Sequence, residues 1–303
     1  MTLPRLIFVT GKGGTGKSTV SAALATALAR RRPTTLADLD GRHAAIRLVG
    51  AVAHDTGAAK KNGAKNSTES AAALDVITIT PHGELETFIE RIVPLRAVSR
   101  RMLQSRTFGY VTTALPGLEA FLVLERLRQL AGQAALKDRF VAIDAPATGH
   151  ALELLAVAGG IRNLAPAGTL NRLSSAVEEF LIDRNRFGVI VTVTPEEFAL
   201  REALGAAGEL RDRLNIGCVG AVLNCVPPAL FTAAEIAKLR RHEGHARLAD
   251  RRHESAEFAR HARQALERAG IAVAELPMLY AATLGAREVA TLSRRLAIEM
   301  IIQ

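Results

Sequence analysis

Nine consecutive residues combine glycines, lysines and hydroxyls at a spacing that suits phosphate: Gly11, Lys12, Gly13, Gly14, Thr15, Gly16, Lys17, Ser18 and Thr19. They follow the apolar run Leu6-Ile7-Phe8-Val9 and precede Val20-Ser21-Ala22-Ala23-Leu24, so the order is strand, glycine turn, helix. A turn of this kind aims successive backbone N–H groups at one spot on the positive end of a helix. At this spacing Lys17 can reach the β- and γ-phosphates of a nucleotide, and the Ser18 hydroxyl can ligate Mg²⁺. Lys12 is additional, since a plain phosphate loop fixes no lysine so early.

Such a loop requires carboxylates at the ends of neighbouring strands. Asp144 closes the apolar run that starts at Arg139, where a carboxylate holds Mg²⁺ through a bound water. Asp38 and Asp40 end another strand-like run, Leu36 to Asp40. Two acids beside phosphate repel the substrate unless each has a task; the simpler role is to cap the following turn.

These elements fall in a larger pattern. Strand-like runs at 6–10, 34–39, 74–80, 139–144, 188–194, 217–223 and 271–275 are separated mostly by stretches of helical composition. That alternation predicts an α/β, three-layer fold of about 7–8 strands, a mostly parallel twisted sheet with helices on both faces. Residues 83–136 lack a strand and read as a small helical subdomain inserted in a single domain of 1–303; 54–70 are polar and read as a mobile loop.

The string from Lys12 to Ser18, KGGTGKS, resembles the deviant phosphate loop of the class holding MinD, ParA, the nitrogenase iron protein and the ArsA/guided-entry ATPases. IDAPATGHALELL, from Ile143, resembles the switch II of the ArsA/guided-entry family, with Asp144, Thr148, Gly149, His150 and Leu152 in register and the proline displaced by one. Asp40-Gly41-Arg42-His43 matches the family's D-P-A-H string at its two ends only. Thr194-Pro195-Glu196, Val222-Leu223-Asn224 and Pro116-Gly117 with Glu119 are similar to further family strings.

The resemblance implies an ATP-hydrolysing homodimer that closes through its nucleotide faces. In it Lys12 contacts the partner's phosphates, Asp40 orients or deprotonates the attacking water, Asp38 helps hold Mg²⁺, Thr148, Gly149 and His150 belong to a moving switch, and Asn224 recognises adenine. A turn-forming role is the alternative for Asn224.

Composition narrows the setting. No apolar run of spanning length and no leader-like N-terminus is evident, so a cytoplasmic protein is expected. The net charge of +9 comes mostly from arginine, and the most basic stretch, 240–268, is interspersed with five acids; it reads as a solvated helix rather than a nucleic-acid surface. Cys218 and Cys225, the two cysteines, lie near or in one strand-like region, so a disulfide is disfavoured; no cysteine precedes Cys218, so the thiolate site for arsenite known in the arsenite-pump members of the family the chain resembles is disfavoured too.

The expected function is a Mg²⁺-dependent ATPase whose dimer closure and hydrolysis are coupled to an unidentified client, either in membrane-protein targeting or chaperone-like work, with an apolar helix or a membrane-associated protein as client, or in association with anion transport. An apolar groove could come from residues such as Phe88, Ile89, Phe108, Phe121 and Leu122, although a packed helical core explains them equally well. Two alternatives stay open: a MinD/ParA-like positioning ATPase using an amphipathic C-terminal helix, and a phosphate-loop small-molecule kinase or ligase.

Overall fold

The structure is a computed structural model, and it describes residues 3–39, 41–50, 54–55, 73–92, 117–164, 167–228, 230–239 and 243–300. Eight strands form one sheet in the order β3-β4-β2-β5-β1-β6-β7-β8. They are β1 (Leu6–Gly11), β2 (Thr34–Asp38), β3 (His54–Asp55), β4 (Leu74–Thr78), β5 (Phe140–Asp144), β6 (Phe187–Val193), β7 (Cys218–Val226) and β8 (Val273–Pro277). Every pairing recorded between them is parallel. Seven of the eight coincide with the strands expected from sequence. The eighth, β3, occupies the first two residues of the expected loop 54–70; the rest of that loop lies outside the described residues.

Alternation along the strands explains the three layers. Side chains of successive strand residues point to opposite faces. Leu6, Phe8, Val141, Ile143, Val189 and Val191 enter one core, while Ile7, Val9, Ala142, Ile190 and Val222 enter the other. Both sets are buried, which is why β1, β5 and β6 read as continuous apolar runs.

Helices cover each face. On one side lie α1 (Lys17–Ala29), the short α2 (Ala44–Leu48) and α10 (Ala286–Met300). The other side carries α3 (Pro81–Ile92), α4 (Leu118–Leu136), α5 (Thr148–Leu164), α6 (Thr169–Ile182), α7 (Glu197–Asp212) and α9 (Glu243–Arg268). A short α8 (Ala233–Leu239) precedes α9. The amphipathic C-terminal helix spends its apolar face on the protein itself: Val289, Leu292 and Leu296 are buried with Leu24 and Leu28 of α1. No helix among the described residues is long and apolar enough to cross a membrane.

The expected helical stretch 83–136 is described at its two ends, by α3 and α4, which pack together. Ile89, Leu118, Phe121, Leu122 and Leu124 are buried there, so these groove candidates serve the core. The remaining candidates between 93 and 116, Phe108 among them, lie outside the described residues. The basic stretch behaves as a solvated helix: in α9, Arg263 pairs with Glu267 at 2.9 Å and with Glu275 at 3.2 Å.

Candidate nucleotide site

β1 lies between β5 and β6 in the middle of the sheet, so chain connections depart to either side of it. In open α/β sheets the crevice beyond the carboxyl ends of such strands is where ligands bind. Gly11 to Gly16 leave β1 at that edge and enter α1 at Lys17. Gly16 caps the helix with φ +86°, a left-handed conformation that favours glycine. A Cβ there would meet Asn224 Nδ2 at 2.2 Å. The loop is closed from within, since the Thr15 hydroxyl donates to the Lys12 carbonyl at 2.8 Å. Gly13 and Gly14 are exposed, with open space where side chains would be.

Asn224 sits near the end of β7, 4% exposed, and its Nδ2 donates to the Thr15 carbonyl at 2.9 Å. The amide therefore braces the phosphate loop. One of its two N–H groups is taken by the loop, which leaves the second N–H and the carbonyl oxygen for the expected contact with adenine.

Lys17, Ser18 and Thr19 open α1 and are partly buried. Asp144 ends β5 and is 1% exposed. Ser21 Oγ lies 2.9 Å from the Lys17 carbonyl and 3.2 Å from Asp144 Oδ1, so its single proton is shared between these two acceptors. Burial pushes the Asp144 carboxyl up to about 6; a hydrogen bond from Ser18 opposes this, the neighbouring Asp38 adds to it, and Ser21 and Lys17 oppose it further. Asp144 Oδ2 and the Thr148 hydroxyl are buried without a hydrogen-bond partner. Buried polar atoms are rarely left orphaned, and both residues lie at the edge of the sheet from which the glycine loop departs, where a cation and phosphates would complete them.

The residues present thus fit a divalent cation. Hard oxygen ligands from a hydroxyl and a carboxylate, with few protein donors, are what a cation shared with phosphates requires. Ser18 and Asp144 are the residues that could hold it. Among the described residues no group of three or more His, Cys, Asp and Glu could form a metal cage.

Asp38 is fully buried at the end of β2. Its Oδ2 accepts from the His43 backbone N–H at 2.7 Å, and the His43 ring lies 3.4 Å from the same oxygen and 3.1 Å from the Thr78 hydroxyl. Asp38 therefore also shapes the chain that follows β2. Asp40 lies outside the described residues.

The switch II string forms the first turn of α5. Thr148 is buried, whereas Gly149 and His150 are exposed, and His150 pairs with Glu153 at 3.5 Å. The Thr10 hydroxyl donates to the Pro146 carbonyl at 2.8 Å, joining the end of β1 to the start of this string.

The Lys12 side chain meets α7. Its ammonium lies 4.1 Å from the centre of the Phe198 ring on α7. Sequence reasoning passed over Phe198, Ser21 and Thr10. Ser21 carried a signal, being a polar residue one helical turn after Lys17 within an apolar run. Phe198 had none, because its meeting with Lys12 depends on tertiary structure.

A parallel sheet with a glycine loop between its central strand and a helix, and a buried carboxylate at the adjoining strand end, defines a phosphate-loop nucleotide hydrolase. Comparison narrows the class. The family described as Anion-transporting ATPase matches residues 4–166, more than half of the chain, and the chain belongs to that family. It is similar to the ATPase BagA of Mycobacterium tuberculosis, with 28% identity over 242 residues, covering 77% of this chain and 68% of that protein. It is similar too to the arsenical pump-driving ATPase of Escherichia coli, with 27% identity over 226 residues, or 72% of this chain and 34% of the larger relative. The chain is an ATPase, with ATP as substrate.

Proposed function

We propose that this ATPase works as a Mg²⁺-dependent homodimer whose closure on ATP and reopening on hydrolysis are coupled to a client. One observation supports this reading above the others: Asp144 is buried, its carboxyl pushed up to about 6 by that burial, and one of its oxygens is left orphaned close to Lys17 and Ser18. That arrangement is costly in the empty protein and is relieved when a cation and phosphates arrive.

In the reaction, the backbone of Gly13 to Lys17 cradles the phosphates and Lys17 contacts the transferred group. Ser18 and Asp144 would hold Mg²⁺, Asp144 through a bound water, with Asp38 behind them. When bound, the cation would neutralise charge that develops on the phosphates during transfer. Asp40 orients the attacking water or takes its proton, Lys12 reaches the partner's phosphates as an added cation, and Asn224 reads adenine with the part of its amide that does not hold Thr15.

Coupling would run through switch II. Thr148 starts α5, and α5 packs on α4 and α6. Ser174 Oγ of α6 donates to the Ala158 carbonyl of α5 at 2.5 Å, and Arg162 bonds Glu178 between the same helices. A shift at Thr148 on phosphate release would therefore be passed to the helical layer, where the client binds. The client is an apolar helix or a membrane-associated protein. Arsenite held by thiolates is disfavoured, because Cys218 and Cys225 lie at opposite ends of β7, roughly 20 Å apart at strand rise.

Steady-state hydrolysis by Lys12→Ala and Asp40→Asn proteins tests the reading. Each is expected to lose at least about 100-fold of the rate. Wild-type rates in both would overturn it.

A further inference from the structure

We propose that Phe198 is a positioning residue that holds Lys12 within its own subunit until the dimer closes. The inference rests on the reading above, in which Lys12 acts on the partner's phosphates.

The placement of Phe198 is unusual for its type. α7 turns Ala199, Leu200, Ala203, Ala206, Ala207 and Leu210 inward, and all are buried. Phe198 falls outside that stripe and is 61% exposed. The core therefore does not account for an aromatic ring at this position. What the ring does contact is the Lys12 ammonium, 4.1 Å from its centre, within the distance at which the negative face of a ring attracts a cation.

The surroundings favour this over an ordinary ion pair. Glu197, next to Phe198, is engaged by Arg201 at 2.8 Å. Lys12 forms no salt bridge among the described residues. The first turn of α7 presents the positive end of a helix dipole, an unfavourable place for a lysine without a compensating group. The ring face compensates weakly, and because the site is exposed the attraction is readily exchanged for a stronger one. A desolvated phosphate on a partner subunit offers a full charge and would win that exchange. Phe198 thus keeps Lys12 extended over the nucleotide face yet off its own phosphates, and closure must break the contact.

The test is the dissociation constant of the full-length protein with ATP and Mg²⁺, from sedimentation equilibrium, together with the hydrolysis rate. Phe198→Leu removes the ring at a site where no core packing is lost. Closure of the homodimer breaks this contact in both subunits, so the substitution is expected to tighten the closed dimer about 5- to 30-fold. Phe198→Tyr keeps the ring and is expected to match the wild type. In a Lys12→Ala background, Phe198→Leu is expected to change nothing. A Phe198→Leu effect that persists without Lys12, or wild-type dimerisation in Phe198→Leu while Lys12→Ala impairs closure, would overturn the holding role alone. If Lys12→Ala itself leaves both dimerisation and hydrolysis at wild-type values, the trans reading of Lys12 fails, and the holding role with it.

Discussion

Asp38 and Asp144 are direct partners in the β2–β5 ladder, and both carboxylates are buried at the same edge of the sheet. Neighbouring like charges in a dry setting raise the cost of ionising both. The backbone reinforces the pairing, since the Leu39 N–H donates to the Asp144 carbonyl at 3.0 Å. The two acids are locked together before any nucleotide arrives, and a cation would relieve the repulsion between them.

The burial of Asp144, with a smaller contribution from Asp38, has a pH signature. The folded-state value of Asp144, about 6, lies above the roughly 3.9 of a free aspartate. An acid raised in the folded state stabilises the fold below its unfolded value and loses that contribution as pH climbs through the folded value. Without Mg²⁺ and nucleotide, stability should fall between about pH 4 and pH 6 by about 3 kcal/mol from this group. Asp144→Asn should flatten that fall and make the metal-free protein more stable at pH 7, while abolishing Mg²⁺-dependent hydrolysis. Chemical denaturation across pH, with and without Mg²⁺, measures both.

Asn224 should govern how well the phosphate loop is formed. Asn224→Asp keeps the shape but replaces the donor to the Thr15 carbonyl with a carboxylate oxygen. Two oxygens then face each other in a buried setting, at a cost of about 1–3 kcal/mol. Nucleotide affinity, read by calorimetry, should fall about 10- to 100-fold.

Gly16→Ala should act at the same spot from the other side. The new Cβ would press on Asn224 Nδ2 and would force a non-glycine residue to φ +86°. The expected loss is about 1–3 kcal/mol of stability, visible as a lowered Tm, together with loss of ATP binding. Gly13→Ala, with open space around it, should leave Tm within about 1 °C, because it meets no neighbour.

Much of this arrangement was legible in the sequence because it is local. The phosphate loop, Asp144 and the continuous apolar strands β1, β5 and β6 each lie within one short run, and period and spacing reveal them. β3 escaped because two residues, His54 and Asp55, carry no periodicity; they become a strand only by pairing with β4. Asn224 was found, but its bond to Thr15 joins positions 209 residues apart and no spacing rule encodes it. The bond from Thr10 to Pro146 and the meeting of Lys12 with Phe198 escaped for the same reason. Most of the described residues of α3 and α4 that could have lined a groove turned out buried, with Phe88 only partly so, since an apolar helix face looks the same in sequence whether it meets a core or a client.

The central claim is that Lys12 completes the site of the other subunit, and complementation tests it most directly. Lys12→Ala and Lys17→Ala proteins, each inactive alone, are mixed at equal concentration and ATP hydrolysis is measured. In a mixed dimer the Lys12→Ala subunit still binds ATP through Lys17 and receives Lys12 from its partner. The account predicts recovery of roughly a quarter of the wild-type rate, since about half of random dimers are mixed and each holds one working site. A mixture no more active than the separate proteins would contradict it.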